Sequence, residues 1–193
     1  MPSISLPYRL FPGAAAAGLL TAVLACGDSL SLPDATFANA VDTVVLAALT
    51  ATPISQSSAF DVVVGEPVRT DRTNAFDFAF DIDAGGTPRL YPAGALGLPA
   101  EPGILLSDQT FDALTSAPLE GYVTDSALVV GANTVFVVRS RSSTIQCAFS
   151  GGLPRYGKFH VLNVDPAART VTLEMLVDLN CGYRGLEPGT PEA

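Results

Sequence analysis

Residues 134–181 read TVFVVRSRSSTIQCAFSGGLPRYGKFHVLNVDPAARTVTLEMLVDLNC, and the periodicity in this stretch decides the fold. From Thr170 to Leu179 the chain alternates: Val171, Leu173, Met175, Val177 and Leu179 fall on one side, and Thr170, Thr172, Glu174 and Asp178 on the other. Leu176 is the one apolar residue on the polar side. A period of two over ten residues predicts a half-buried strand. Lys158 to Asp165 predicts its partner, with Phe159 and Val161 on one face and His160, Leu162 and Val164 on the other. Between them, Asp165-Pro166-Ala167-Ala168-Arg169 predicts a tight turn. Proline presets φ there, and the Asp165 carboxylate can accept a backbone N–H. A third strand, Val135 to Arg141, sets Val135 and Val137 against Phe136 and Val138, apolar on both faces at its start and polar at its end.

Upstream, short apolar runs are cut by glycine and proline. Asp42 to Leu49 is nearly continuous apolar, as in a strand buried on both faces; Val41, Val44, Val45 and Ala48 also sit at helical spacing, so both readings stay open. Ala59–Val64, Pro67–Thr70, Pro88–Tyr91, Tyr122–Thr124 and Ala127–Val130 predict further short strands, and Ser107 to Leu114 a helical turn or two capped by Ser107 or Asp108. In Asn74 to Asp83, Phe76, Phe78, Phe80 and Ile82 alternate with Asp77, Ala79, Asp81 and Asp83. Many short strands with Gly/Pro turns predict an all-β, antiparallel β-sandwich, with a partly open β-barrel as the alternative. The tail 182–193, GYRGLEPGTPEA, has no apolar periodicity and is expected to be exposed and partly mobile.

The first 26 residues have the form of a targeting segment. Arg9 is the one charge, Phe11 to Ala25 is apolar and small, and Val23-Leu24-Ala25-Cys26 follows directly. This tetrapeptide resembles the lipobox of bacterial lipoproteins. The resemblance implies cleavage before Cys26, diacylglycerol on its sulfur and an acyl chain such as palmitate on its new amino group. Gly27 stands where that family's inner-membrane retention signal has aspartate, which implies the outer membrane, on its periplasmic or surface face. The apolar run is about fifteen residues and contains Pro12 and Gly13, short of the ~20 needed to span a bilayer. The expected organisation is then a signal peptide at 1–25, a lipidated Cys26 with a flexible tether over 26–36, a single β-rich domain over 37–181 and the tail.

Removing residues 1–25 takes away Arg9 and no acidic group, which leaves nine basic against 19 acidic residues, a formal net charge of −10. Such a chain is a poor ligand for nucleic acid, where clustered Lys and Arg must displace phosphate counterions. It is equally unsuited to electrostatic docking on anionic lipid, so the anchor is expected to hold it at the membrane. Of three cysteines in an exported chain, lipidation of Cys26 leaves Cys147 and Cys181 as an even pair in a compartment that permits disulfides.

Few residues offer chemistry. Asp77, Asp81 and Asp83 share a strand face, and residues two apart stand about 6.6–7 Å from one another. That puts Asp81 and Asp83 near the carboxyl spacing of an inverting glycosidase, so an envelope glycan hydrolase is the alternative function. The same pattern is the ordinary water-facing side of an antiparallel sheet. Asp81 to Gly86 also begins like a calcium loop, but Gly85 and Pro92 stand where oxygen ligands belong, so a plain glycine turn is the competing reading. His160 is the single histidine, and Ser150-Gly151-Gly152 is no nucleophile elbow. No fingerprint of a nucleotide, metal or other cofactor is present, and none is expected. Arg139, Arg141, Arg155 and Lys158 form a modest basic concentration. They would suit an anionic glycan, a phosphate or an acidic partner, or else pair with the aspartate-rich faces. The expected function is a non-enzymatic, lipid-anchored β-domain that binds a protein or glycan partner or plays a structural part.

Overall fold

The hairpin predicted from alternation forms the middle of one sheet in the computed structural model, which describes Ser3 and residues 32–192. The rest of the targeting segment, with its lipobox and Cys26, lies outside the described residues. Strand β9 (Tyr156–Asp165) pairs antiparallel with β10 (Thr170–Asp178), and the Asp165 carboxylate accepts the N–H groups of Ala167 and Ala168, both at 2.9 Å. Outside this pair lie β1 (Val41–Ala47) against β10 and β8 (Val135–Arg139) against β9, with β6 (Gly103–Ser107) beyond β8. The second sheet has the order β3 (Glu66–Val68), β2 (Ala59–Asp61), β4 (Phe78–Ile82), β5 (Pro88–Pro92) and β7 (Leu128–Val129). All pairings are antiparallel, and neither sheet closes on itself. The sandwich reading holds over the barrel.

The core lies between the sheets and is built on four phenylalanines, Phe60 and Phe78 from one sheet, Phe136 and Phe159 from the other. Their ring centroids stand 5.1–5.8 Å apart in stacked and edge-on pairs, geometry worth about 0.5–1.5 kcal/mol per pair beyond area burial. Leu46, Phe80, Ile82, Leu90, Ile104, Val161, Val171 and Leu173 complete it. Both faces of β8 are buried as expected, because a second apolar cluster covers the outer face of its sheet. Val135, Val137, Tyr156 and Leu176 meet Phe111, Leu114, Ala117 and Leu186 there. Leu176, the apolar exception in the alternation, belongs to this outer layer.

The structure departs from the sequence reading in several places. Strand β1 is an edge strand rather than one buried on both faces: Val44 and Leu46 enter the core while Val41 and Val45 stay exposed. A bulge in β9 leaves Leu162 unpaired, since Thr172 faces Asn163 while Leu173 faces Val161. Leu162 stays on the His160 side and is exposed, as the alternation places it, while the extra residue reverses the faces after it, so Val164 packs against the core. The segment 107–114 makes one turn, within the one or two expected, but Thr110 rather than Ser107 or Asp108 caps it: its carbonyl accepts from the Leu114 N–H and its hydroxyl from Ala113. The tail is docked, not loose: Leu186 is completely buried, Tyr183 nearly so, and Gly189 exchanges backbone hydrogen bonds with Asn39.

Candidate functional site

Of the aspartates expected on a water-facing strand side, Asp77 and Asp81 are instead buried, Asp83 stays partly exposed, and all three are engaged. Asp77, just ahead of β4, is wholly inaccessible. Its Oδ2 accepts the Val62 N–H at 2.7 Å, and its Oδ1 accepts both the Arg141 backbone N–H at 2.8 Å and the Arg141 guanidinium at 3.1 Å. The other arm of Arg141 reaches Asp61 Oδ2 at 2.8 Å. Burial pushes the Asp77 carboxyl up to about 6, against the pull of Arg141. Asp81 accepts from Thr50 and from Arg169 of the β9–β10 turn, whose guanidinium also donates to the Ile82 carbonyl at 2.6 Å. Asp83 accepts the N–H groups of Gly85 and Thr87 and, at 2.7 Å, Arg89, whose hydrogen bond holds this carboxyl below the usual range. Asp81 and Asp83 therefore belong to separate networks. The glycine turn accounts for the loop that begins like a calcium site, and among the described residues no three His, Cys, Asp or Glu side chains gather for a metal ion.

The four basic residues do not form a patch. Strand β8 ends at Arg139, and the chain then turns towards the second sheet, so Arg141 leaves the face it would share with Arg139. Arg139 lies over the Tyr122 ring, 5.0 Å from its centroid, and donates to the Glu101 carbonyl. Arg155 is buried and donates to the Val63 carbonyl, with its Nε lacking a partner. Lys158 is also buried, its amino group bonded to the carbonyls of Phe111 (2.7 Å) and Leu114 (3.1 Å) over the Phe111 ring; burial lowers its pKa. His160 is half-buried, with Nδ1 3.2 Å from Glu174.

What the structure does assemble lies at the end of the sandwich where the chain arrives from the tether. Asn180 acts as a clamp: its Oδ1 accepts from the N–H groups of Thr36 (2.8 Å) and Phe37 (3.0 Å), and its Nδ2 donates to the Phe37 carbonyl and to Asp178, both at 2.8 Å. Tyr183 donates its hydroxyl to the Pro33 carbonyl at 2.9 Å, so the last residues of the expected tether are fixed to the domain. Beside them, Cys147 and Cys181 are brought to disulfide distance, with Cα atoms 5.6 Å apart. The expected pairing is geometrically in place. The loop that carries Cys147 is closed at its neck by Ser140 and Arg155, which exchange two hydrogen bonds of 2.9 Å.

A cleft of about 170 Å³ opens here, lined by Pro33, Phe37, Phe149, Arg155, Asn180 and Cys181 among others. Sites for drug-sized ligands run to about 300–1,000 Å³, so the cleft is too small to enclose one. Two wider grooves, about 460 and 400 Å³, follow the tail, and neither is lined by His160 or by the three aspartates. Sequence reasoning missed the Asn180 clamp altogether. Its one signal is position, an amide immediately before a paired cysteine at the end of a strand. No protein-family model and no curated protein matches the chain. Among the described residues no helix is long and apolar enough to cross a membrane.

Proposed function

We propose that the protein is a non-enzymatic β-domain, held at the outer membrane by acyl chains on Cys26, that binds a protein or glycan partner of the envelope. One observation carries the non-enzymatic part: the ionisable side chains that offered chemistry are spent on holding the fold. Asp77 and Asp81 tie the two sheets to Arg141 and Arg169, Lys158 pins the covering layer, and Asp83 caps a turn. An envelope hydrolase built on Asp81 and Asp83 would need a carboxyl able to lend a proton near neutral pH. Asp83, drawn below the usual range by Arg89, is poorly suited to that task.

The anchor is tested by labelling. Wild-type protein should incorporate palmitate and sediment with membranes, while Cys26→Ser should do neither; a soluble, unlabelled wild type refutes the anchor. Crosslinking in native envelopes followed by purification should retain a specific partner. Release of sugars from envelope glycans by the purified domain, abolished by Asp81→Asn, would overturn the non-enzymatic reading.

A further inference from the structure

The loop between Ser140 and Arg155 presents apolar side chains to water. Phe149 is 98% exposed and Ile145 85% exposed, with Leu153 on the same loop and Phe37 on the neighbouring strap also exposed. Single exposed apolar residues are ordinary, but a cluster on one loop marks an interaction surface. Residues 142–153, SSTIQCAFSGGL, carry no charged side chain in a chain of net charge −9. The loop is also firmly placed. Its neck is closed by Ser140 and Arg155, Gly151 and Gly152 complete its turn at φ 65° and 80°, and Cys147 lies against Cys181. Cys181 directly follows Asn180, whose amide holds Thr36 and Phe37. Phe149 therefore sits at the point where the chain coming from Cys26 joins the domain, and it shares a cleft with Pro33, Asp34 and Phe37.

Chain length then fixes what faces this surface. Cys26 and Leu32 are six positions apart, a reach of at most about 22 Å when fully extended. If acyl chains on Cys26 lie in the bilayer, Leu32 is held within that distance of it, and Leu32 stands beside Leu153 at Gly182, at the end of the sandwich that bears Phe149 and Ile145, while the β9–β10 turn lies roughly 30 Å away along the strands. Exposed Phe and Ile, a loop without charged side chains and enforced proximity together match the boundary between headgroups and acyl chains. We infer that Phe149 and Ile145, with Phe37 and Leu153 beside them, form a membrane-contacting surface that dips into the lipid boundary and sets the orientation of the domain on the bilayer. The inference rests on the Cys26 anchor and goes beyond it, since a lipid tether by itself fixes no orientation.

The chain has no tryptophan, so one introduced indole reports its own surroundings. Lipidated Phe149→Trp, reconstituted into phosphatidylethanolamine/phosphatidylglycerol vesicles, should fluoresce further to the blue than the same substitution in detergent-free Cys26→Ser protein. It should also lose intensity when the lipids carry brominated acyl chains. Ile145→Trp should behave in the same way. Ala167→Trp, in the turn at the far end of β9 and β10, should show neither change. Vesicle-bound Phe149→Trp and Ile145→Trp proteins whose indoles are quenched no more than that of Ala167→Trp overturn the membrane surface and leave the anchor intact. A blue shift that appears only in native membranes holding envelope proteins assigns the surface to a protein partner and overturns it too. Protein that fails to stay with vesicles and takes up no palmitate overturns the anchor, and the inference falls with it.

Discussion

Asp77 and Arg141 are joined twice across the sandwich, Oδ1 of the carboxylate taking both the backbone N–H and the guanidinium of the arginine. Asp77 leads into β4 of one sheet and Arg141 follows β8 of the other, so the contact fastens the two sheets beside their apolar core. Asp81 and Arg169 do the same from the β9–β10 turn. Removing one partner of a buried pair strands the other's charge, which costs roughly 3–5 kcal/mol. Arg141→Met leaves both Asp61 and Asp77 without their cation, and denaturant unfolding at pH 7 should show a loss of about that size.

The same pair gives the domain a pH dependence. The Asp77 carboxyl stands at about 6 in the folded protein against 3.8 unfolded. Between those values the folded state holds a proton that the unfolded state has released, so stability falls as pH rises through the window. A difference of this size corresponds to roughly 3 kcal/mol in all, of which about 2.4 kcal/mol falls between pH 4 and pH 7. Asp178, also raised by burial, acts with the same sign. Melting temperatures of the wild type should therefore decline from pH 4 to pH 7, and Asp77→Asn should flatten that decline while leaving the Asp178 part. An unchanged slope in the variant would remove Asp77 as its source.

The fold was legible where alternation runs long. Ten residues of period two, closed by Asp-Pro, placed β9, β10 and their turn, because backbone pleating alone imposes that pattern. Local pattern is blind to three things that the structure adds. A bulge costs one residue and reverses every face after it, as Val164 shows. Alternation says which way Asp77 points but not that Arg141 will arrive over it from 64 positions away. The tail's Tyr183 and Leu186 are too few to show a period, yet Leu186 fills a layer whose other half is Leu176 on β10. Polar hinges such as Asn180 leave no periodic trace at all.

Leu186 makes the docked tail testable. Its side chain is completely buried beside Phe111, Leu114 and Leu176, and its N–H donates to the Thr115 carbonyl at 2.8 Å. Leu186→Ala opens a cavity there and should cost about 2–5 kcal/mol. Deletion of residues 183–193 should cost at least as much. A tail that could be removed without lowering the melting temperature would contradict its place in the outer layer.

Gly103 tests how closely that layer is packed. A Cβ at this position would come 2.6 Å from Tyr122 Cβ and 3.3 Å from the Val123 carbonyl, because residues 122–124 lie directly against β6 through the Ile104–Val123 bridge. Neither neighbour is the free end of a flexible chain, so the added methyl has to displace backbone. Gly103→Ala should destabilise by roughly 1–3 kcal/mol, the usual cost of overpacking. Gly131→Ala, where nothing lies within 4 Å of the new methyl, is the matched control and should change stability little.

The cysteine pair joins the end of the long hairpin to the middle of the apolar loop. Cys147 and Cys181 are 34 positions apart in sequence, and the ring they close contains all of β9 and β10. Constraining a ring of about 35 residues in the unfolded chain stabilises by roughly 3–4 kcal/mol on the chain-entropy account. That is a large share of the ~5–15 kcal/mol available to a domain. Unreduced mature protein should present no titratable thiol at these two positions. Replacing both by Ser should lower the melting temperature and, on the proposed anchoring at Cys26, leave palmitate labelling unchanged. Because Asn180 adjoins Cys181, the same replacement should also loosen residues 33–37, read as faster amide exchange at Thr36 and Phe37, the two N–H groups held by its side chain. Two free thiols in oxidised protein, or an unchanged melting temperature in the double variant, would remove the disulfide from the account of stability and leave the Asn180 clamp to position the loop alone.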